Sequence, residues 1–272
     1  MVFNTGETSE ELKAKYNPEG SILRQAQLRM LDMLLYLDNI CKEQNIAYRL
    51  DGGTVLGAVR HGGFIPWDDD LDVVIDSKKD FKKLCNYLEN HPHNQYVIQS
   101  HKNDKGFYYF WVTLRDTMAE YIHNNKQTAV IDELRKYRGL QIDIFPYESK
   151  RIPFLNKISG KITRMNTKIL LPRHTVSAAL LYKTQKYIIH PILNLVSLLL
   201  GKKNSYMHSY GTTFPYVFPK DTLFPYKIIN FEGHSFPAPS KPEEFLTILY
   251  GKYMDLPAKE KRNHHDVSYK IW

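Results

Sequence analysis

The stretch that most constrains this chain is Asp68-Asp69-Asp70-Leu71-Asp72-Val73-Val74-Ile75-Asp76, where five carboxylates meet an apolar run. Side chains alternate along an extended segment, so Asp70 and Asp72 share one face while Leu71 and Val73 take the other. Two carboxylates held side by side repel unless a cation lies between them. Hard oxygen ligands of this kind suit Mg²⁺ or Mn²⁺. The pattern predicts a buried strand at Leu71–Ile75 whose polar edge faces a metal, with Asp68 as a further ligand. A calcium loop is excluded: Asp68, Asp70 and Asp72 match its first alternating ligands, but Val73 stands where the loop needs glycine and Lys79 where it needs glutamate. A solvated acidic loop accounts for Asp69 and Asp76, which are expected on the surface. It accounts poorly for acids set into an apolar strand.

A second acid repeats the pattern. In Leu140-Gln-Ile-Asp-Ile-Phe-Pro146, Asp143 lies on the face opposite Ile142 and Ile144. It reads as a third metal carboxylate on a neighbouring strand, or as a lone buried acid paired with arginine. About twenty residues before the acidic strand, Gly52-Gly53-Thr54 opens a short helix. Glycines let backbone N–H groups approach a phosphate, and a helix N-terminus favours anions. Arg60 and His61 add donors for phosphate oxygens, or form an ordinary surface pair.

The 272 residues carry 37 Lys+Arg against 29 Asp+Glu, a net +8, and 43% are hydrophobic. That is enough material for a core and excludes a largely disordered chain. Two cysteines, Cys41 and Cys85, exclude a disulfide scaffold and a four-cysteine zinc site. The polar, acidic N-terminal stretch has no apolar h-region, and no run reaches the roughly 18 apolar residues of a spanning helix. A cytoplasmic protein is expected.

Charge is unevenly spread. From Ser149 to Lys220 there are nine Lys, three Arg and no Asp or Glu, a local +12. The same segment holds the apolar stretches Ile169–Leu171, Ala178–Leu181 and Ile192–Leu200. Basic and apolar together suggest an element lying on an anionic membrane surface. A basic helical subdomain packed on the core is the plainer reading, and attraction to nucleic acid the weakest.

Apolar spacing predicts a helix over Ser21–Asn45, and Ser77 caps another reaching Glu89. Strands are expected at Ile46–Leu50, Tyr96–Ser100, Phe107–Leu114 and Leu140–Phe145, and a last helix at Pro242–Tyr250. Strands and helices in this order give an α+β (mixed α/β) fold. The expected organisation is a catalytic core over 1–148, a basic, apolar helical insertion over 149–213, and a C-terminal part over 214–272 that completes the core.

The motifs resemble those of the LicD family of phosphotransferases, which includes fukutin and fukutin-related protein. The run Gly52-Gly53-Thr54, Gly57–His61 and Gly63-Phe64-Ile65-Pro66-Trp67-Asp68-Asp69-Asp70-Leu71-Asp72 carries the resemblance. It continues at Ile142–Pro146, Phe231-Glu232-Gly233 and Tyr250–Pro257, with His265 beyond. The resemblance implies a nucleotidyltransferase-like mixed sheet flanked by helices. It also implies metal-dependent transfer of a substituted phosphate, commonly phosphocholine, from a CDP-linked donor to a glycan hydroxyl. Such glycans are lipopolysaccharide, capsule or teichoic acid precursors, and CMP is released. No structural zinc is expected, because no cysteine cluster is present.

On that reading Asp70, Asp72 and Asp143 are catalytic and bind Mg²⁺ or Mn²⁺, with Asp68 as a further ligand. Gly52, Gly53, Thr54, Arg60, His61, Trp67, Arg115 and His265 contact substrate. A choline headgroup favours an aromatic cage, for which Phe107–Trp111, Tyr206, Tyr210 and Tyr216 are candidates. An aromatic-rich strand is as readily core. The expected partners are a CDP-linked donor, a glycan or lipid-linked saccharide acceptor and an anionic membrane at the inner face, without nucleic acid. A GT-A-like sugar transferase would also use Asp70-Leu71-Asp72 and would release a nucleoside diphosphate. A template-free RNA nucleotidyltransferase would release pyrophosphate. A non-catalytic membrane adaptor would leave the carboxylate strand without purpose.

Overall fold

The computed structural model describes residues 3–124, 126–262 and 267–272. Helix α1 (Ser9–Tyr16) begins at a capping box, in which the Thr8 hydroxyl accepts from Glu11 N–H and the Glu11 carboxylate accepts from Thr8 N–H. Helix α2 (Ile22–Glu43) is capped by Ser21 and buries Ala26, Met30, Leu34 and Leu37 along one stripe. The short strand β1 (Arg49–Leu50) runs into α3 (Gly52–His61), and β2 (Leu71–Ile75) follows. Then come α4 (Lys78–Asn90), β3 (Tyr96–Gln99), β4 (Val112–Asp116), β5 (Ala119–His123), α5 (Lys126–Glu133) and β6 (Gln141–Ser149).

Three helices intervene before the sheet resumes: α6 (Pro153–Met165), α7 (Thr175–Thr184) and α8 (His190–Leu200). Five-residue π-helical turns at Asn166–Leu170 and Gln185–Ile189 extend α6 and join α7 to α8. The remainder is β7 (Ser205–His208), β8 (Phe218–Pro219), α9 (Lys220–Leu223), the hairpin β9 (Lys227–Phe231) and β10 (His234–Ala238), α10 (Pro242–Tyr250) and β11 (Val267–Ile271).

The main sheet is mixed, in the order β1-β2-β6-β4-β3. The β2/β6 pair is parallel, and the β1/β2, β4/β6 and β3/β4 pairs are antiparallel. The second half of β6 pairs with β7, which pairs with β8. Strand β6 is therefore the hub, and the α6–α8 helices are an excursion between two strands that lie side by side. The fold is α+β, as the order of elements predicts.

Two local expectations need correction. The strand expected over Phe107–Leu114 begins only at Val112, because the rings before it serve packing on both sides rather than a ladder. Asp69 and Asp76 are not on the surface. Asp69 is fully buried, and its Oδ2 accepts from the Tyr121 and Tyr269 hydroxyls at 3.0 and 2.7 Å. Asp76 lies 3.5 Å from the buried Arg49 guanidinium and accepts from the Tyr226 hydroxyl. Their partners come from β1, β5, β11 and the turn before β9, all outside the acidic segment. Asp69 thereby ties the two-stranded β5/β11 sheet to the acidic loop. Asp69→Ala is expected to lower unfolding stability by about 2–4 kcal/mol, since it strands two tyrosine hydroxyls with little access to water. Urea denaturation of the variant beside Tyr269→Phe, expected to lose only about 1 kcal/mol, checks this.

Candidate active site

The site is built where the start of α3 meets the edge of β2. Asp51 N–H donates to Asp72 O at 3.0 Å, and Asp72 N–H donates to the Thr54 hydroxyl at 2.9 Å. These two bonds pin the first turn of α3 onto the acidic strand. Gly52 adopts φ +47°, and a Cβ there would lie 3.1 Å from Asp72 Oδ2. A Cβ on Gly53 would lie 3.3 Å from Asp68 Oδ2. The glycine pair lets two carboxylates crowd the positive end of a helix.

Asp143 arrives from β6. Parallel register sets Asp72 opposite Asp143, and antiparallel register sets Thr113 of β4 opposite Asp143 on its other side. The Thr113 hydroxyl donates to Asp143 Oδ1 at 2.6 Å. Neighbouring strands lie about 4.8 Å apart, where two like charges at an effective dielectric of about 20 oppose each other by roughly 3 kcal/mol. The Asp72 carboxyl is accordingly pushed well above its ordinary 3.8, by burial first and then by Asp70, Asp143, Asp51 and Asp68. Burial also raises Asp143, against the Thr113 bond and the Arg115 charge. Asp51 behaves oppositely: despite burial, its His208 contact (2.9 Å) and Arg49 contact (3.0 Å) hold its carboxyl below the usual range.

Among the described residues, no three His, Cys, Asp or Glu side chains already close around one point as a finished metal centre. The donor set nevertheless fits a hard divalent cation. Asp68, Asp70, Asp72 and Asp143 are all carboxylates, and a cation would relieve the repulsion that raises Asp72.

Two cavities flank the Asp72–Asp143 pair. One, of about 290 Å³, is bordered by Asp51, Asp72, Phe145, Phe214, Tyr216 and Tyr250. The other, of about 260 Å³, is bordered by Asp143, Tyr109, Trp111, Arg115, Arg135 and Lys168. Tyr109 and Trp111 stack at 4.3 Å. The first cavity joins rings to carboxylates and the second joins rings to cations.

The sequence-predicted residues divide accordingly. Gly52, Gly53, Thr54, Asp68, Asp72 and Asp143 meet at the start of α3. Asp70 stands close enough for its charge to help push the Asp72 carboxyl up. Arg60 and His61 sit in the last turn of α3 and both are buried, with the Arg60 guanidinium still within reach of the Tyr250 and Asp68 charges. The Arg60 guanidinium donates to Tyr253 O (2.8 Å) and Asp255 O (3.3 Å), and burial lowers it to about 10. Burial and the Arg60 charge drop the His61 imidazole to about 3. Trp67 is core, with its ring 5.3 Å from that of Tyr16 and beneath the Arg262 guanidinium. Arg115 borders the second cavity but is buried, donating to Gln99 Oε1 (2.7 Å) and Gly139 O (2.9 Å). His265 and His264 lie outside the described residues.

Sequence reasoning missed Asp51, His208, Thr113, Phe145, Phe214 and Tyr250. Asp51 directly precedes the glycines and was within reach; the others are joined to the site by register and long-range packing alone.

Residues 45–181 match the family described as LicD/FKTN/FKRP, nucleotidyltransferase domain. The chain belongs to the LicD family. Among LicD-related proteins, the lipopolysaccharide cholinephosphotransferase LicD of Haemophilus influenzae is 26% identical over 90% of this chain and 96% of its own length. A Rickettsia prowazekii protein of unassigned role is 25% identical over 50% of this chain and 55% of its own. Human ribitol 5-phosphate transferase FKRP is 45% identical over 40 residues, 15% of this chain and 8% of its own length. Both named activities are phosphotransfers, and LicD membership makes this chain a transferase.

One consequence is a stability that falls with pH in the absence of divalent cation. The folded state holds the Asp72 proton more tightly than the unfolded chain, whose carboxyl titrates near 3.8. The stabilisation is complete below that value and is lost as pH rises through the folded-state one. Thermal melts without divalent cation are expected to decline over this range. Mg²⁺ at neutral pH is expected to restore stability in the wild type and not in Asp72→Asn.

Proposed function

We propose that this protein transfers a substituted phosphate from a CDP-linked donor to a hydroxyl of a cell-surface glycan precursor, releasing CMP. The supporting observation is the Asp72–Asp143 register against the glycine-opened start of α3. That arrangement combines hard anionic ligands with backbone donors for phosphate oxygens.

Asp70 and Asp72, with Asp68 beside Gly53, would hold Mg²⁺ or Mn²⁺, which neutralises charge on the donor's pyrophosphate when bound. The first N–H groups of α3 face the same phosphates. The acceptor oxygen attacks the distal phosphorus, which carries the headgroup, and the bond from that phosphorus to the bridging oxygen breaks. CMP leaves with that oxygen. Asp143, whose raised carboxyl is a better base than an ordinary aspartate, takes the acceptor's proton and is oriented by Thr113. Positioning and charge stabilisation supply most of the rate in such transfers.

Phosphocholine is the headgroup favoured here over ethanolamine or polyol phosphates. The cavity beside Asp72 sets Phe145, Phe214, Tyr216 and Tyr250 near two carboxylates, surroundings that suit a quaternary ammonium. The long match to a cholinephosphotransferase points the same way. The acceptor is taken to be a lipid-linked saccharide, met by a peripheral protein at the inner face of the membrane. No helix among the described residues is long and apolar enough to cross a membrane.

CMP release from CDP-choline, CDP-ethanolamine, CDP-ribitol and CDP-glycerol in Mg²⁺ tests the reading. CDP-choline is expected to be turned over, and Asp72→Asn to lose roughly a thousandfold. Turnover by Asp72→Asn within tenfold of wild type, or sugar nucleotides as the donors consumed, would overturn it. Tyr216→Ala, at a half-exposed ring, is expected to raise KM for CDP-choline about tenfold, with Tyr216→Phe close to wild type.

A further inference from the structure

We infer that α6–α8 form a foot that enters one leaflet of an anionic lipid membrane and seats the active site at its surface. This deepens the peripheral placement proposed above, but it stands on observations separate from the transfer chemistry.

The helices bury a row of polar side chains and expose many apolar ones, apart from the small buried cluster of Leu171, Ala178 and Tyr182. Asn156, Ser159, Thr163, Asn166, Gln185, His190 and Ser197 are buried. Four of them bond in pairs: Ser159 Oγ lies 2.8 Å from His190 Nε2, and Gln185 Nε2 donates to Thr163 Oγ1 at 3.0 Å. The apolar residues face out instead. Val176 is 82% exposed, Leu199 73%, Leu200 74% and Phe154 69%. Ile192, Leu195 and Leu198 of α8 are more than half exposed as well. A water-facing helix has the opposite arrangement. This one matches a solvent that is itself apolar, where polar groups must find partners within the protein.

Charge and length identify that solvent. No acid occurs between Ser149 and Lys220. Lys157, Lys161, Arg164, Lys183 and Lys186 are exposed, and residues 187–201 carry no Asp, Glu, Lys or Arg. Basic side chains beside an uncharged apolar end are the pattern of an element held at anionic headgroups with its tip among acyl chains. Helix α8 has 11 residues, about 16 Å at 1.5 Å per residue. That is half of a hydrocarbon core of about 30 Å, enough for one leaflet and too short to span. A second copy would also cover the apolar face, but it would bring the same +12 against itself.

The foot is fixed to the site. Tyr182 packs on Tyr108 and Phe110, and His190 on Phe110. Arg164 borders the cavity of Asp72 and Lys168 that of Asp143. Both cavities therefore open beside the basic rim of the foot, where an acceptor carried on a lipid would present its sugar.

The test uses the full chain with vesicles of phosphatidylcholine alone or mixed with phosphatidylglycerol. Co-sedimentation is expected with the anionic vesicles. Leu198→Glu with Leu199→Glu is expected to weaken it about tenfold or more, and Lys157→Glu with Lys161→Glu by about tenfold. All four positions are exposed, and circular dichroism confirms that the variants fold. A tryptophan introduced by Leu199→Trp is expected to shift to the blue and be quenched by lipids brominated on their acyl chains. A tryptophan that stays in water would overturn the inference, as would equal binding to neutral vesicles. Self-association abolished by Leu198→Glu, without vesicle binding, would also overturn it and assign the face to a second copy. Insertion without CMP release from any donor would leave the foot standing and remove the proposed chemistry instead.

Discussion

Everything at this site follows from the placement of Asp72 and Asp143 at one register position of two parallel strands. Neither acid can move away, because Leu71, Val73, Ile142 and Ile144 anchor the same strands in the core. The repulsion is only partly offset: Thr113 donates to Asp143, and the N-terminus of α3 faces Asp72 and Asp68. On the proposed function, a divalent cation would relieve that repulsion.

Behind the pair lies a layer that fixes its position. Arg49 is fully buried and lies between Asp51 and Asp76, under the Tyr147 and Phe245 rings. His208 reaches Asp51 from β7, the strand that follows the helical excursion. Asp51 is thus held charged at the N-cap of α3 without capping the helix itself. Its backbone N–H is left to bind Asp72 O and align helix with strand. The last strand also reaches the acidic segment, since β11 supplies Tyr269 to Asp69.

What the sequence disclosed was local. The expected strand Leu71–Ile75 and helix Pro242–Tyr250 match the observed elements to the residue. The acids, the glycines and Thr54 were legible because strand and helix periods place them without knowledge of the rest. Arg60 and His61 are buried rather than a surface pair, because a ten-residue helix carries Arg60 into contact with the segment after α10, which a motif written along the sequence hides. Asp69 and Asp76 were misread because burial depended on tyrosines contributed from elsewhere. Thr113 and His208 needed strand register, which no single strand specifies.

The aromatic run Phe107–Trp111 shows why a composition reading stalls between core and cage. Successive rings point apart, so the run serves two neighbours at once. Tyr108 and Phe110 support Tyr182 and His190 of the helical excursion, whereas Tyr109 and Trp111 border the cavity of Asp143. The same five residues are floor for the foot and wall for the site. The reversal of polarity in α6–α8 becomes consistent with a well-packed enzyme on this view. On the proposed membrane placement, their interior needs only enough hydrogen bonding to hold shape, and the exposed apolar side chains would meet acyl chains. Chemistry on a lipid-carried acceptor gains most when the element that meets the membrane and the wall of the active site share one piece of chain.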